Sequence, residues 1–193
     1  MSTIVLASSS KYRAALLARL QLPFETADPA IDEAVQKGEA PEDLVRRLAQ
    51  AKAEAVAARF PRALVIGSDQ VAVCDDHILG KPGTEARARE QLAKLSGRRV
   101  RFVTGLCLLN ATQTRSQLAV VETPVHFREL SEREIADYVM REQPVDCAGA
   151  FKSEGLGIAL FREIGGPDPN ALIGLPLIEL CVMLRSEGVN VLG

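Results

Sequence analysis

Hydrophobic positions along this chain fall into two rhythms. Short unbroken apolar runs predict buried strands, whereas apolar residues recurring every three or four positions predict helices with one buried face. The first rhythm places a strand over 3–7, and the second a helix over about 11–20 carrying Leu16, Leu17 and Leu20. A second helix is expected over about 41–59. Pro41 suits its first turn, Glu42 and Asp43 suit the positive end of its dipole, and Leu44, Leu48, Ala51 and Ala55 form its apolar stripe, with Lys52 beside that stripe rather than opposite it. The run Ala63-Leu64-Val65-Ile66-Gly67-Ser68-Asp69 reads as a buried strand ending in an acid, followed by 70–74 and a turn at Asp75-Asp76.

Thr84 starts a helix through about 96 that Gly97 stops, and 101–109 with 117–127 form two long strands joined through 110–114 as an antiparallel hairpin. Ser131 and Glu134 make a capping box for a helix to about 141. A strand near 158–164, a turn over 165–169 and a helix over about 177–187 complete the chain. Strands and helices that alternate in this way specify an α/β fold.

At 193 residues, 47% hydrophobic and 25% charged, the chain suits one domain or two small lobes, and no internal repeat or long linker divides it. It is therefore expected to form one domain over 1–193. A net charge of −2 excludes a broad nucleic-acid surface and favours a small anionic ligand. Cys74, Cys107, Cys147 and Cys181 lie far apart without a C-x-x-C pair and read as reduced thiols rather than zinc ligands. The start of the chain lacks the basic region of a signal peptide, and no stretch approaches the roughly 20 apolar residues of a membrane span, which predicts a cytoplasmic protein without a membrane partner.

Candidate chemistry begins at Leu6-Ala7-Ser8-Ser9-Ser10-Lys11-Tyr12-Arg13, where an apolar strand runs into hydroxyls and cations at a helix N-terminus. Free N–H groups and the helix dipole attract oxyanions there, Ser8 and Ser10 add donors, and Arg13 can fork onto two phosphate oxygens. Ordinary capping of a surface helix by Ser10 is the alternative reading of the same residues. Asp69 follows an apolar strand, where an unpaired acid is costly, and so is expected to meet a metal or a cation. Asp32-Glu33 reads as a solvated acidic pair and Lys81-Pro82 as a surface turn when each is taken alone. The small, glycine-rich stretch from Cys147 to Gly155 contains Lys152-Ser153-Glu154 and suits backbone close to a ligand. His126, His77, Phe151 and the turn Asp168-Pro169-Asn170 read as structural.

Taken together, these blocks resemble the Maf family of nucleoside triphosphate pyrophosphatases. The likeness rests on the Leu-Ala-Ser-x-Ser-x-x-Arg opening, Asp32-Glu33, Arg47-Leu48-Ala49 running to Lys52, Gly67-Ser68-Asp69, Gly80-Lys81-Pro82, and Ala148-Gly149 with Gly174-Leu175-Pro176-Leu177. It is greatest to the branch acting on 7-methyl-GTP. The resemblance implies an elongated mixed sheet flanked by helices, with two lobes and a cleft between them. It also implies cleavage between the α- and β-phosphates to a nucleoside monophosphate and diphosphate, with a divalent cation, Mg²⁺ or Mn²⁺, held by Glu33 and Asp69. Ser8, Ser10, Arg13, Lys52 and Lys81 then bind phosphate, Asp69 serves as base with Glu33 as the alternative, and a homodimer is implied.

Substrate choice follows from Tyr12, Gln70 and Glu154, which stand where the branch for dTTP and UTP carries Arg, Thr and Gln. Methylation at N7 makes guanine cationic, so an aromatic ring attracts it by roughly 0.5–2 kcal/mol, and a carboxylate can accept from its N1–H and exocyclic amine. Family openings commonly read Ser-Pro-x-Arg-Arg, whereas Lys11 and Ala14 replace the proline and the second arginine here. Two alternatives stay open: the same chemistry on dTTP and UTP, or a non-catalytic nucleotide-binding regulator of division or septum formation.

Overall fold

A computed structural model describes residues 3–75 and 77–193. Its elements are β1 (Thr3–Ala7), α1 (Lys11–Ala18), β2 (Phe24–Ala27), α2 (Pro41–Ala57), β3 (Ala63–Cys74), β4 (His77–Leu79), α3 (Glu85–Leu95), β5 (Arg99–Asn110), β6 (Arg115–Phe127), α4 (Glu132–Glu142), β7 (Phe161–Ile164) and α5 (Leu177–Ser186). Short 3₁₀ segments cover Ala148–Ala150, Leu156–Leu160 and Ala171–Ile173. The seven strands form one mixed sheet in the order β2-β1-β3-β5-β6-β7, with β4 paired to β3. β1 runs parallel to β2 and β3, pairing Ile4 with Phe24 and with Leu64. Parallel neighbours need long crossovers, which α1 and α2 supply, whereas four residues suffice between β5 and β6, as antiparallel neighbours allow.

The chain divides into two compact units: 1–70 with 104–121 and 168–193, and 71–103 with 122–167. In the first, alternate strand residues feed two apolar layers. Ile4, Leu6, Leu64, Ile66, Leu106 and Leu108 pack on one face with α1 and α5, while Val5, Ala7, Val65 and Cys107 meet Ala49, Ala53 and Val56 of α2 on the other. α2 rests almost on the strand backbone. A Cβ at Gly67 would lie 2.0 Å from the Ala49 carbonyl oxygen, and one at Gly105 would lie 2.2 Å from that of Val45, so only glycine permits this approach.

The second unit is centred on aromatic rings. Phe151 meets Phe102 at 5.0 Å and Phe161 at 4.8 Å, both edge to face, which confirms its reading as core. Ala88, Leu92 and Leu95 of α3 and Ile135, Tyr138 and Val139 of α4 are also buried. Gly97 ends α3 in a left-handed conformation, as its position predicts.

Three expectations are corrected. Asp69 does not end a strand but sits inside the 12-residue β3, because Ser68 and Gln70 beside it find polar partners on the opposite sheet face and leave the backbone free to continue. The strand expected from 158 starts at Phe161, since the Lys152 carbonyl accepts from the N–H groups of Gly155 and Gly157 and turns the chain beforehand. The short β2 and β4 lie outside the expected elements, and of the turn at Asp75-Asp76, Asp76 lies outside the described residues. No described helix is long and apolar enough to cross a membrane.

The capping box on α4 is present as expected. Hydrogen bonds from the backbone N–H and hydroxyl of Ser131, together with Arg128, pull the Glu134 carboxyl down to about 2. A carboxyl lowered on folding contributes stability that is complete above its ordinary 4.5 and is lost as pH falls from there towards 2. Glu134→Gln should therefore melt slightly below the parent at pH 7, with the gap closing between pH 4.5 and 2 in thermal scans. A gap independent of pH would show that the carboxylate charge is not the source.

Candidate active site

The strand parity of β3 sets the site. Gly67 and Asp69 face α2, while Ser68 and Gln70 face the side covered by α5 and the turn before it. Because Gly67 draws α2 close, Lys52, three residues after Ala49 on that helix, reaches under the sheet with only 4% of its surface exposed. Its ammonium lies 2.6 Å from Asp69 Oδ1 and 2.6 Å from Glu33 Oε1. Asp69 is buried and Glu33 is half exposed. One cation therefore gathers two carboxylates from β3 and the loop before α2, as the sequence reading of Asp69 expected.

The opening segment adjoins them. Ser10 caps α1 by accepting from Arg13 N–H at 3.4 Å, and buried Ser8 accepts the N–H of Ser10 at 3.1 Å. The capping role is thus present, and it also holds both hydroxyls at the helix N-terminus. Arg13 is half buried; its Nε donates to the Gly174 carbonyl at 2.8 Å, and its Nη1 lies 3.5 Å from Ser8 Oγ. Burial lowers its pKa, opposed by the charges of Asp69 and Glu33, which places all three within electrostatic range of one another. Tyr12 is half buried on α1 with the Lys11 ammonium 5.1 Å from its ring centroid, so its face already takes a cation.

Gln70 points away from Asp69. Its amide nitrogen donates to Thr104 Oγ1, to Ala171 O at 2.7 Å and to Leu172 O, fastening the 3₁₀ turn that precedes Gly174. Ser68 donates to the Gly105 and Gly174 carbonyls, so the Gly174 oxygen receives both Ser68 and Arg13. Asp168, read as a turn residue, is buried and accepts from the N–H groups of Asn170 and Ile178, tying this turn to the start of α5.

Lys81 and Glu154 belong to the second unit, both exposed in loops. Lys81 lies between β4 and α3, where Gly80 and Gly83 on either side of it are tied to Gln91 and Val145. Glu154 stands at the tip of a turn anchored to α4: Lys152 N–H donates to Tyr138 Oη, Lys152 Nζ donates to the Glu142 and Gln143 carbonyls, and Leu156 N–H donates to Glu142. Lys152 thereby caps α4 rather than pairing with Glu154.

Glu39 is the site neighbour that sequence reading passed over. Arg47 Nε and Nη2 grip both of its oxygens at 2.6 and 2.7 Å, and Nη2 also donates to Ala34 O. That fork holds the Glu39 carboxyl at about 2. Eight residues separate the partners, one in a loop and one in a helix, so no periodic spacing signals them.

As a cation site, Glu33 and Asp69 offer hard carboxylate oxygens that converge on one ammonium, a donor set that suits Mg²⁺ completed by phosphate and water. Among the described residues no group of three or more His, Cys, Asp or Glu is arranged to hold a metal ion. The cysteines are free, and burial raises Cys107 and Cys147 to about 12, which keeps them thiols.

Known proteins resemble this chain to different depths. The Ham1 protein of Staphylococcus aureus superposes with a TM-score of 0.52 at 15% identity, over 96% of this chain and all of that one, a likeness of fold. The 7-methyl-GTP pyrophosphatase of Pseudomonas aeruginosa is 57% identical over 99% of this chain and 100% of its own length. Those of Colwellia psychrerythraea and Pseudomonas syringae pv. tomato, under the same name, are 52% and 56% identical, covering 100% and 99% of this chain and 96% and 100% of their own lengths. The Maf-like protein family model matches residues 3–187, and the chain belongs to the Maf family.

Proposed function

We propose that this protein hydrolyses 7-methyl-GTP to 7-methyl-GMP and diphosphate, clearing a modified nucleotide from the cytoplasmic pool. The observation that carries the chemistry is the meeting of Asp69, Glu33 and Lys52 beside the Ser8–Arg13 helix start. The names of three relatives at 52–57% identity support the substrate. Asp69 takes the proton of the attacking water, and Glu33 is the alternative for that role. Arg13, Lys52 and Lys81 neutralise a triphosphate bearing about four negative charges, and Ser8 and Ser10 add hydrogen-bond donors. A divalent cation held by Glu33 and Asp69 would polarise the phosphoryl oxygens when bound. Two copies of the chain forming a dimer would be compatible with this chemistry.

Tyr12 stacks on the cationic base in this reading, and Glu154 accepts from the guanine edge. Gln70 acts by fixing the turn that places Gly174 against Arg13. Diphosphate release from purified protein with Mg²⁺ or Mn²⁺ tests the proposal. We expect 7-methyl-GTP to be preferred over GTP and far preferred over UTP and dTTP, and Tyr12→Arg with Glu154→Gln to reduce that preference more than either change alone. Faster turnover of dTTP or UTP by the parent would sink the substrate assignment; binding without diphosphate release would favour the regulator.

A further inference from the structure

The segment that carries Glu33 has no regular structure. Residues 28–40 include no helix or strand, and 32–38 are all exposed, so a carboxylate there would sample many positions unless something fixed its backbone. Local links are short range: Asp32 accepts from Ala34 N–H, and Glu39 accepts from Gln36 N–H. The link to a rigid element comes from α2. Arg47 donates to both Glu39 oxygens and to the carbonyl of Ala34, the residue directly after Glu33. Five residues later the same helix presents Lys52, which receives Glu33. One helix therefore holds the loop by its backbone and far end and meets its working carboxylate at the near end.

We propose that Arg47 is a positioning residue for the active site: its guanidinium clamps Ala34 and Glu39 to α2 so that Glu33 is delivered to Lys52 and Asp69. Three donors in a rigid fork serve two carboxylate oxygens and one carbonyl, an arrangement that a single ammonium cannot reproduce. The pair is partly buried, with the Glu39 side chain 8% exposed and that of Arg47 31%; Arg47→Lys keeps the charge and Glu39→Gln keeps the shape, so these changes bear on the order of the loop more than on the fold. The hydrogen bonds of Arg47 go to Glu39 and Ala34, so beyond a longer-range attraction to Asp69 its hold on the site passes through the loop that carries Glu33. This inference rests on the role given to Glu33 above.

The test compares Arg47→Lys and Glu39→Gln with the parent in diphosphate release from 7-methyl-GTP with Mg²⁺, and in tryptic cleavage at the exposed Lys37–Gly38 bond. Both variants should melt close to the parent, lose about tenfold to a hundredfold in kcat, need more Mg²⁺ for half-maximal rate, and be cut faster at Lys37. In a Glu33→Gln background, Arg47→Lys should lower kcat no further, because the carboxylate it positions is already gone. An equal additional loss in that background, or parental cleavage at Lys37, overturns the proposal. If Glu33→Gln itself turns over at the parental rate, the reading of Glu33 fails and the delivery of a working carboxylate falls with it; the cleavage rate then still decides whether Arg47 clamps the loop.

Discussion

Asp69→Asn should lose about 10²–10⁴ of the rate of diphosphate release while remaining folded, the loss expected when a general base is removed. Asparagine is nearly the same size and keeps an oxygen that can accept from Lys52, so packing around β3 changes little. What it cannot do is take a proton from water. Removing one partner of a buried ion pair usually costs several kcal/mol because a charge is left stranded. Here Lys52 keeps Glu33 at 2.6 Å, so its charge stays matched and the melting temperature should fall only modestly. The decisive comparison is kcat for Asp69→Asn and Glu33→Gln measured together with 7-methyl-GTP and Mg²⁺. Near-parental kcat in the first and collapse in the second would transfer the base to Glu33.

The burial of these residues explains why the first is favoured. Asp69 is 7% exposed and fixed by a strand inside a sheet, whereas the side chain of Glu33 is 51% exposed on a loop. A base must hold its water in one orientation, which a strand residue does without further support. Glu33 needs the arginine clamp to reach the same precision.

Long periodic elements were readable in the sequence, and short or non-periodic ones were not. α2 is marked by Pro41, its first-turn acids and an apolar stripe, and the structure starts it at Pro41. β2, with two exposed residues among its four, carries no alternation long enough to detect. The sequence places Asp69 at a strand end because an acid closes the run from Ala63 through Gly67 and Ser68. The strand continues because the pattern was about burial, and Lys52 makes that burial tolerable from a helix whose approach depends on Gly67. In the same way the motif residues could be recognised, but their geometry could not. Gly174 was legible as a motif glycine, yet its carbonyl serves Ser68 and Arg13 from more than a hundred residues away in sequence, a relation only tertiary structure creates.

Arg13→Ala should reduce turnover by about 10²–10³, the usual cost of one well-placed transition-state donor, and Lys81→Ala should do likewise. Arg13 has five N–H donors, and the structure commits Nε to Gly174 and brings Nη1 to Ser8, which fixes the plane of the guanidinium beside the α1 N-terminus. A phosphate there meets a preset fork, backbone N–H groups and the positive end of the helix dipole together. Its charge also persists at neutral pH even though burial works against it. Arg13→Lys should recover little, since one ammonium cannot hold the Gly174 carbonyl and face phosphate at once. Lys81 has no such internal commitment to lose, being exposed in its loop, so Lys81→Ala should leave the melting temperature unchanged. Arg13→Ala should lower it slightly through the lost Gly174 contact. If Arg13→Ala loses activity only in proportion to the fraction that has unfolded, and the folded remainder turns over 7-methyl-GTP at the parental rate, the segment from Ser8 to Arg13 is a helix cap and a loop anchor and not a phosphate site.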